Sequence, residues 1–229
     1  MNYDFNQSPI QMDAGLSSYM RAVFSRMFMA LCVTGSVSYW CSTNQVMLKL
    51  LSGGVSTLLM LGTLGVVFYL TSRIQKIAIT RANVLFWVYA PLIGLSFSPL
   101  FTLYTGESLA TTFLMTSIFF GSMSLYGYIT KRDLTSLGSF MTVGLFSIII
   151  ATIINIFLKS SGLQLGLSAI TIVVFCGLTA YDIQKIREIY VRASDEETAK
   201  KYAILGVLSL YLDFINIFLS LLRFLGKKQ

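Results

Sequence analysis

Long apolar runs alternate with short polar connections along this chain. A transmembrane helix needs about 20 predominantly apolar residues, because each residue adds 1.5 Å to its length. Seven runs meet that requirement. We number them spans one to seven: Met27 to Leu48, Leu50 to Ser72, Ala82 to Gly106, Ser108 to Thr130, Leu134 to Leu158, Ser160 to Tyr181, and Tyr202 to Leu222.

The charged residues lie almost entirely between these runs. The first six spans contain no Asp, Glu, Lys or Arg, and the seventh contains only Asp213. Two connections are very short, since Lys49 alone separates spans one and two, and Glu107 alone separates spans three and four. Six or eight spans are therefore alternatives to seven, if one of these runs is re-entrant.

Composition supports the same fold class. Hydrophobic residues make up 55% of the 229 residues, charged residues only 12%, and the mean hydropathy is +0.73. A soluble domain carries about a quarter charged residues, because its surface must face water. The sequence therefore predicts an all-α, polytopic membrane protein, with a polar cytoplasmic tail over residues 1–21 and a single seven-helix transmembrane domain over residues 22–229.

The positions of the basic residues predict an orientation. With seven spans, twelve Lys and Arg lie on the side of the N-terminus and five on the opposite side. Basic residues concentrate in cytoplasmic loops, so the N-terminus is expected in the cytoplasm and the C-terminus outside. The expected location is a bacterial cytoplasmic (inner) membrane.

Several classes of function are disfavoured. The net charge of +7 reflects these loops, since no basic helix face interleaved with aromatics is present to bind nucleic acid. Histidine is absent, and the three cysteines show no metal-binding spacing. Since no nucleotide loop or soluble catalytic motif occurs, we expect no enzyme activity and no tightly bound cofactor.

Local motifs predict details of the helices. Ser194 and Glu197 have the spacing of a capping box, so span seven is expected to begin as a helix near Asp195. Glu196 and Lys200, like Glu197 and Lys201, lie four residues apart, the spacing of an ion pair on one helix face.

Small and cyclic residues suggest two further features. Gly162 and Gly166 form a GxxxG pair that would mark close packing of span six, or equally the general abundance of glycine in membrane helices. Pro91 and Pro99 fall in span three, where proline removes a backbone hydrogen bond and favours a kink.

Two aspartates are the candidate functional residues. Asp213 lies near the middle of span seven, and Asp182 directly follows span six. A carboxylate at that depth is costly and normally faces the protein interior with a partner. Each has an alternative interpretation: Asp213 as a structural polar contact between helices, and Asp182 as an interfacial residue paired with Lys185 and Arg187.

The two aspartates become more informative as a pair. Consecutive antiparallel helices can bring both carboxyls together, and neighbouring carboxylates in a dry site share a proton. The same oxygens suit a weak, transient Ca²⁺ site, because two carboxylates supply too few ligands for a tight one. Asp213 is expected roughly 10 Å deeper than Asp182, so they meet only if helix six continues to Lys185 or beyond and one helix is tilted or shifted along its axis.

Three segments carry a resemblance to a known family. They are Tyr126 to Gly138 (YGYITKRDLTSLG), Gly177 to Ile186 (GLTAYDIQKI) and Leu208 to Phe218 (LSLYLDFINIF). These resemble signature segments of the bacterial branch of the transmembrane Bax-inhibitor-motif family. The resemblance implies seven helices with the last one central, and a pH-sensitive calcium leak. It also implies that Asp182 and Asp213 form the pH-sensing pair, linked to a basic residue of helix two, for which Arg73 is the nearest candidate.

Two other functions remain alternatives. The chain could be a regulatory partner of another membrane protein, such as a membrane protease, with its polar N-terminal tail as the contact. An intramembrane aspartyl protease also uses paired aspartates, but neither the glycine-flanked motif nor the Pro-Ala-Leu segment of those enzymes occurs here. We expect a monomer in the lipid bilayer, with Ca²⁺ and protons as ligands.

Overall fold

The computed structural model describes residues 9–51, 54–193 and 195–229. Within these residues the chain forms nine helices, with no cis peptide bond. The helices are α1 (Pro9–Thr43), α2 (Gln45–Leu51), α3 (Gly54–Arg73), α4 (Ile79–Phe97), α5 (Leu100–Leu103), α6 (Gly106–Ile129), α7 (Thr135–Leu158), α8 (Ser161–Arg192) and α9 (Glu196–Leu225).

Six stretches of the described helices are long and apolar enough to cross a membrane. They lie in α1, in α4 continued through α5, and in each of α6, α7, α8 and α9. The prediction of an all-helical, polytopic membrane protein is therefore confirmed. Helix α3 occupies most of the predicted second span, of which residues 52 and 53 lie outside those described. The count of seven, the central position of the last helix and the orientation of the termini stay predictions.

The first break in the chain is earlier than predicted. Helix α1 ends at Thr43, and Asn44 interrupts the helix five residues before Lys49. The Asn44 side-chain oxygen accepts the backbone N–H groups of Val46 and Met47, at 3.0 and 3.3 Å. An asparagine in this position satisfies the free donors at the start of the next helix, α2. Asn44, rather than Lys49, therefore separates the first apolar run from the second.

The two prolines of predicted span three act differently. Helix α4 runs through Pro91, whereas it ends at Phe97, two residues before Pro99. The Ser98 hydroxyl donates to the carbonyl of Leu95 at 2.8 Å, and α5 begins after Pro99. Proline has no N–H to continue the helical hydrogen bonds. Span three is thus divided at Pro99 into a long helix and a single turn.

The predicted start of the last helix is confirmed. Helix α9 begins at Glu196, and the Asp195 carboxylate accepts from the backbone N–H of Thr198 at 2.7 Å and from its hydroxyl at 2.8 Å. The two predicted ion pairs form, at 2.6 Å for Glu196 with Lys200 and 2.9 Å for Glu197 with Lys201. Ser194, the other half of the predicted capping box, lies outside the described residues.

The chain divides into two compact units. The first comprises the described part of residues 1–103 together with Ile186–Leu208, and the second comprises Tyr104–Lys185 together with Ser209–Gln229. In the first unit α1 packs closely on α4, where the Thr34 hydroxyl donates to the carbonyl of Ala90 at 3.0 Å. Gly94 permits this approach, because a Cβ there would lie 2.7 Å from the carbonyl oxygen of Thr34.

Close helix packing in the second unit depends on glycines other than the predicted pair. A Cβ on Gly162 or Gly166 would have no neighbour within 4 Å, so the predicted packing role of this GxxxG pair is wrong. A Cβ on Gly127 of α6 would collide with the backbone of Ala180, and one on Gly138 of α7 would collide with the ring of Tyr181. Helices α6 and α7 therefore both approach α8 closely near its Asp182.

The connection between α6 and α7 is held by one side chain of α8. Gln184 donates through Nε2 to the carbonyl of Arg132 at 2.8 Å, and its Oε1 accepts the backbone N–H of Leu134 at 2.8 Å. We expect Gln184→Ala to lower the free energy of unfolding by about 1–2 kcal/mol, because it removes both hydrogen bonds. Thermal unfolding in detergent measures the loss.

Gln184→Glu is the matched variant for this experiment. It keeps the acceptor for Leu134 but replaces the donor by an oxygen that repels the carbonyl of Arg132, so a loss of stability is expected for this variant as well. Equal stability of Gln184→Ala and the parent would contradict a structural role for the two bonds.

Candidate functional site

Asp182 and Asp213 both lie in the second unit, on helices that run antiparallel. Asp182 lies in α8 and Asp213 in α9. The hydroxyl of Ser209, one turn before Asp213, donates a hydrogen bond to the Asp182 carboxylate. The two helices are therefore in direct contact at the level of Asp182.

The length of α8 and its contact with α9 show how far apart Asp182 and Asp213 lie along the helices. The helix continues to Arg192, eleven residues beyond the predicted end of span six at Tyr181. Since Asp182 lies level with Ser209, the two aspartates are offset along the helices by about one turn, or about 6 Å. The continuation of helix six beyond Lys185, which the pairing required, is confirmed.

The Asp213 side chain is almost fully buried. Only 4% of its surface is exposed, and the neighbouring Leu210 and Tyr211 are completely buried. Within the described part of the chain, no hydrogen-bond donor reaches its Oδ2 atom. A buried acceptor without a partner costs free energy, and such groups in membrane helices commonly mark functional sites.

A threonine of the facing helix forms the other contact of Asp213. The Thr179 side chain is hydrogen-bonded with the Asp213 carboxyl, and its hydroxyl also lies 2.8 Å from the carbonyl oxygen of Phe175. A hydroxyl has a single proton. When Thr179 donates that proton to Phe175, it can only accept from Asp213, and this contact then requires a protonated carboxyl.

The two contacts are related by the antiparallel arrangement. Thr179 lies three residues before Asp182 but contacts Asp213, and Ser209 lies four residues before Asp213 but contacts Asp182. Each aspartate thus faces a hydroxyl group of the opposite helix. Neither hydroxyl was predicted from the sequence, although each aspartate has a Ser or Thr one turn before it.

Charge also links the two carboxyl groups. The negative charge of Asp182 acts on Asp213, and the charge of Asp213 acts on the thiol of Cys176. Asp182 is less buried, and the ammonium of Lys185 acts on it electrostatically. Lys185 also lies 5.7 Å from the ring centre of Tyr181. The site therefore contains two interacting carboxyls, with a base near the more exposed one.

Arg73, the predicted basic partner, ends α3 as an exposed residue of the first unit. Its link to the aspartates stays a prediction. Among the described residues, no group of three or more His, Cys, Asp or Glu side chains is arranged to hold a metal ion. The pair of carboxyls, rather than a larger acidic cluster, is thus the candidate site.

Comparison with known proteins gives a consistent result. Residues 16–229 match the family described as "Inhibitor of apoptosis-promoting Bax1". The chain is 45% identical to the protein RP147 of Rickettsia prowazekii over 218 residues, which cover 95% of this chain and 92% of that protein. It is 40% identical to the inner membrane protein YbhL of Escherichia coli over 228 residues, which cover 98% and 97% of the two chains. A protein of Borreliella burgdorferi is 39% identical over 93% of each chain.

Proposed function

Because this chain belongs to the family described as inhibitors of apoptosis-promoting Bax1, a family of integral membrane proteins, we propose that it is a pH-sensitive cation leak channel. Asp182 and Asp213 gate the pathway, and Ca²⁺ is the proposed ion. The observation that carries the proposal is the burial of Asp213 beside a second carboxyl, with its Oδ2 atom lacking a donor among the described residues.

The protonation state of the pair is the proposed gate. Two interacting carboxyls in a site with little water resist being ionised together, so a proton on one favours ionisation of the other. A protonated Asp213 can donate to Thr179, whereas an ionised Asp213 can only accept from it, and the Thr179 hydroxyl must then turn away from the carbonyl of Phe175. Proton release therefore reverses the direction of a hydrogen bond between α8 and α9 at the same moment as it creates a negative charge.

The same oxygens supply the ion-binding chemistry. Calcium takes six to eight oxygen ligands, of which two aspartates provide only part. Backbone carbonyls and water would complete the shell. Incomplete coordination by the protein suits an ion in transit, since conduction requires binding that is readily released.

The proposed location is the bacterial inner membrane, by similarity to YbhL, with the N-terminus in the cytoplasm. We propose that the protein acts as a monomer without enzymatic activity. The regulatory-partner and protease interpretations remain alternatives, and no observation on the site favours either.

Calcium flux in proteoliposomes tests the proposal. We expect the parent to change its flux between pH 6 and 8, and Asp213→Asn and Asp182→Asn each to lose most of that dependence, because an amide does not titrate. A calcium-sensitive dye inside the vesicles measures the flux.

Asp133→Asn is the matched control. Hydrogen bonds from Thr135 hold the pKa of Asp133 below its usual value, so this exposed carboxyl is ionised throughout pH 6 to 8. Its replacement should leave the pH profile unchanged. If Asp213→Asn and Asp182→Asn both follow the parent profile, the carboxyl pair does not gate the flux.

A further inference from the structure

A cavity lies at the end of the second unit that is remote from Asp182 and Asp213, and its lining residues differ in charge from that pair. Its volume is about 370 Å³, within the range of small-molecule sites. It lies where α7 turns into α8, against the last turn of α9. Its polar lining consists of Thr152, Asn155, Lys159, Ser161, Gln164 and Arg223.

The charged groups of this cavity are both cations. Lys159 and Arg223 line it without any carboxylate, and no ion pair of the described residues involves either one. Together they offer an ammonium and a guanidinium, the two groups that bind phosphate most strongly in proteins. The cavity therefore suits an anion rather than a cation.

The neutral side chains add hydrogen-bond donors. The Asn155 side-chain oxygen accepts the backbone N–H of Ser160 at 3.1 Å, which fixes the orientation of its amide. The NH₂ group of the Asn155 side chain is consequently the part that can donate to an anion. Gln164 supplies a second amide and Ser161 a hydroxyl, so donors to an anion come from both helices.

The position of the cavity indicates a ligand that belongs to the membrane. Helix α7 has 24 residues, about 36 Å, which slightly exceeds the hydrocarbon thickness of about 30 Å. Lys159 directly follows it, so a helix α7 that spans the hydrocarbon would place Lys159 at the level of the lipid headgroups. The adjoining surface is apolar, since Phe157 is 81% exposed and Leu158 63% exposed. Ile156 and Leu167 continue this apolar surface into the cavity.

We propose that this cavity binds the phosphate group of an anionic phospholipid, with Lys159 and Arg223 on the phosphate and the acyl chains along the exposed face of α7. A free phosphate ion would use the same cations but would leave the apolar part of the cavity unused. The site is separate from the carboxyl pair, so it does not depend on the proposed leak.

Native mass spectrometry of the detergent-purified full chain tests this assignment. The probes are phosphatidylglycerol, the phosphate-free lipid diacylglycerol, and inorganic phosphate. We expect the parent to bind phosphatidylglycerol at least about tenfold more tightly than it binds diacylglycerol. We also expect the double variant Lys159→Asn/Arg223→Gln to bind phosphatidylglycerol at least about tenfold more weakly than the parent does. Asparagine is chosen at position 159 because Lys159 has a φ of 50°, a left-handed conformation that asparagine tolerates.

Lys131→Gln/Arg132→Gln is the control. It removes the same two charges from exposed positions of the same unit and should bind phosphatidylglycerol like the parent. Equal loss in the control and the cavity variant would overturn the proposal, as would equal binding of the two lipids by the parent. The parent measurement needs no variant, so it decides the question even if the cavity variant does not fold. Displacement of phosphatidylglycerol by an equal concentration of inorganic phosphate would also overturn it, and would assign the cavity to free phosphate.

Discussion

Replacement of Gly127 by alanine is expected to destabilise the protein by about 1–3 kcal/mol, although alanine is normally the better helix former. The added Cβ would lie against the carbonyl group of Ala180, whose backbone cannot rotate away as a flexible side chain does. Either α6 must move from α8, or the backbone hydrogen bonds of α8 must distort. Thermal unfolding in detergent measures the effect.

Gly121→Ala provides the comparison on the same helix. A Cβ at that position has no neighbour within 4 Å, so the substitution should be neutral or stabilising by up to about 1 kcal/mol. Equal stability of the two alanine variants would contradict the close approach of α6 and α8. Because Ala180 lies two residues from Asp182, we expect Gly127→Ala also to disturb the calcium flux.

Replacement of Asp213 by leucine is expected to abolish the calcium flux while keeping or raising stability, by up to about 3 kcal/mol. Burying an ionisable group is costly, and leucine, which has the branched shape of aspartate with methyl groups in place of the oxygens, removes that cost. If the carboxyl instead serves as a structural contact between helices, its loss should lower the melting temperature. The two interpretations of Asp213 thus predict opposite changes in stability.

Leu210→Ala calibrates this measurement. Leu210 is fully buried one turn before Asp213 in α9, and its truncation should cost about 2–5 kcal/mol. A loss of similar size in Asp213→Leu would assign the carboxyl a structural role. Retained flux in Asp213→Leu would remove it from the ion pathway.

Local signals in the sequence predicted much of the secondary structure. Helices α6 and α7 begin and end within two residues of the predicted spans, and α9 begins beside Asp195 as expected. The errors arose where polar residues act inside an apolar run. Asn44 interrupts the first run, and its side chain caps the start of α2.

For the site, the sequence identified both aspartates but not their hydroxyl partners. Span length and the rarity of charge single out Asp182 and Asp213, because lipid penalises every polar group that it contacts. The assignment of Ser209 to Asp182 and of Thr179 to Asp213 depends on the axial register of α8 against α9. A shift of one turn would break both contacts while leaving every apolar run unchanged.

By itself, then, the sequence determined that this is a polytopic helical membrane protein with two acids in its last long helices, since the length and apolarity of a span follow from the thickness and polarity of the bilayer. Only the tertiary structure decided which faces meet. It placed the close packing at Gly127 and Gly138 instead of Gly162 and Gly166, and it placed each aspartate beside a hydroxyl of the opposite helix. The physical reason is that rotation and register depend on many small contacts between helices, none of which is encoded in a single segment.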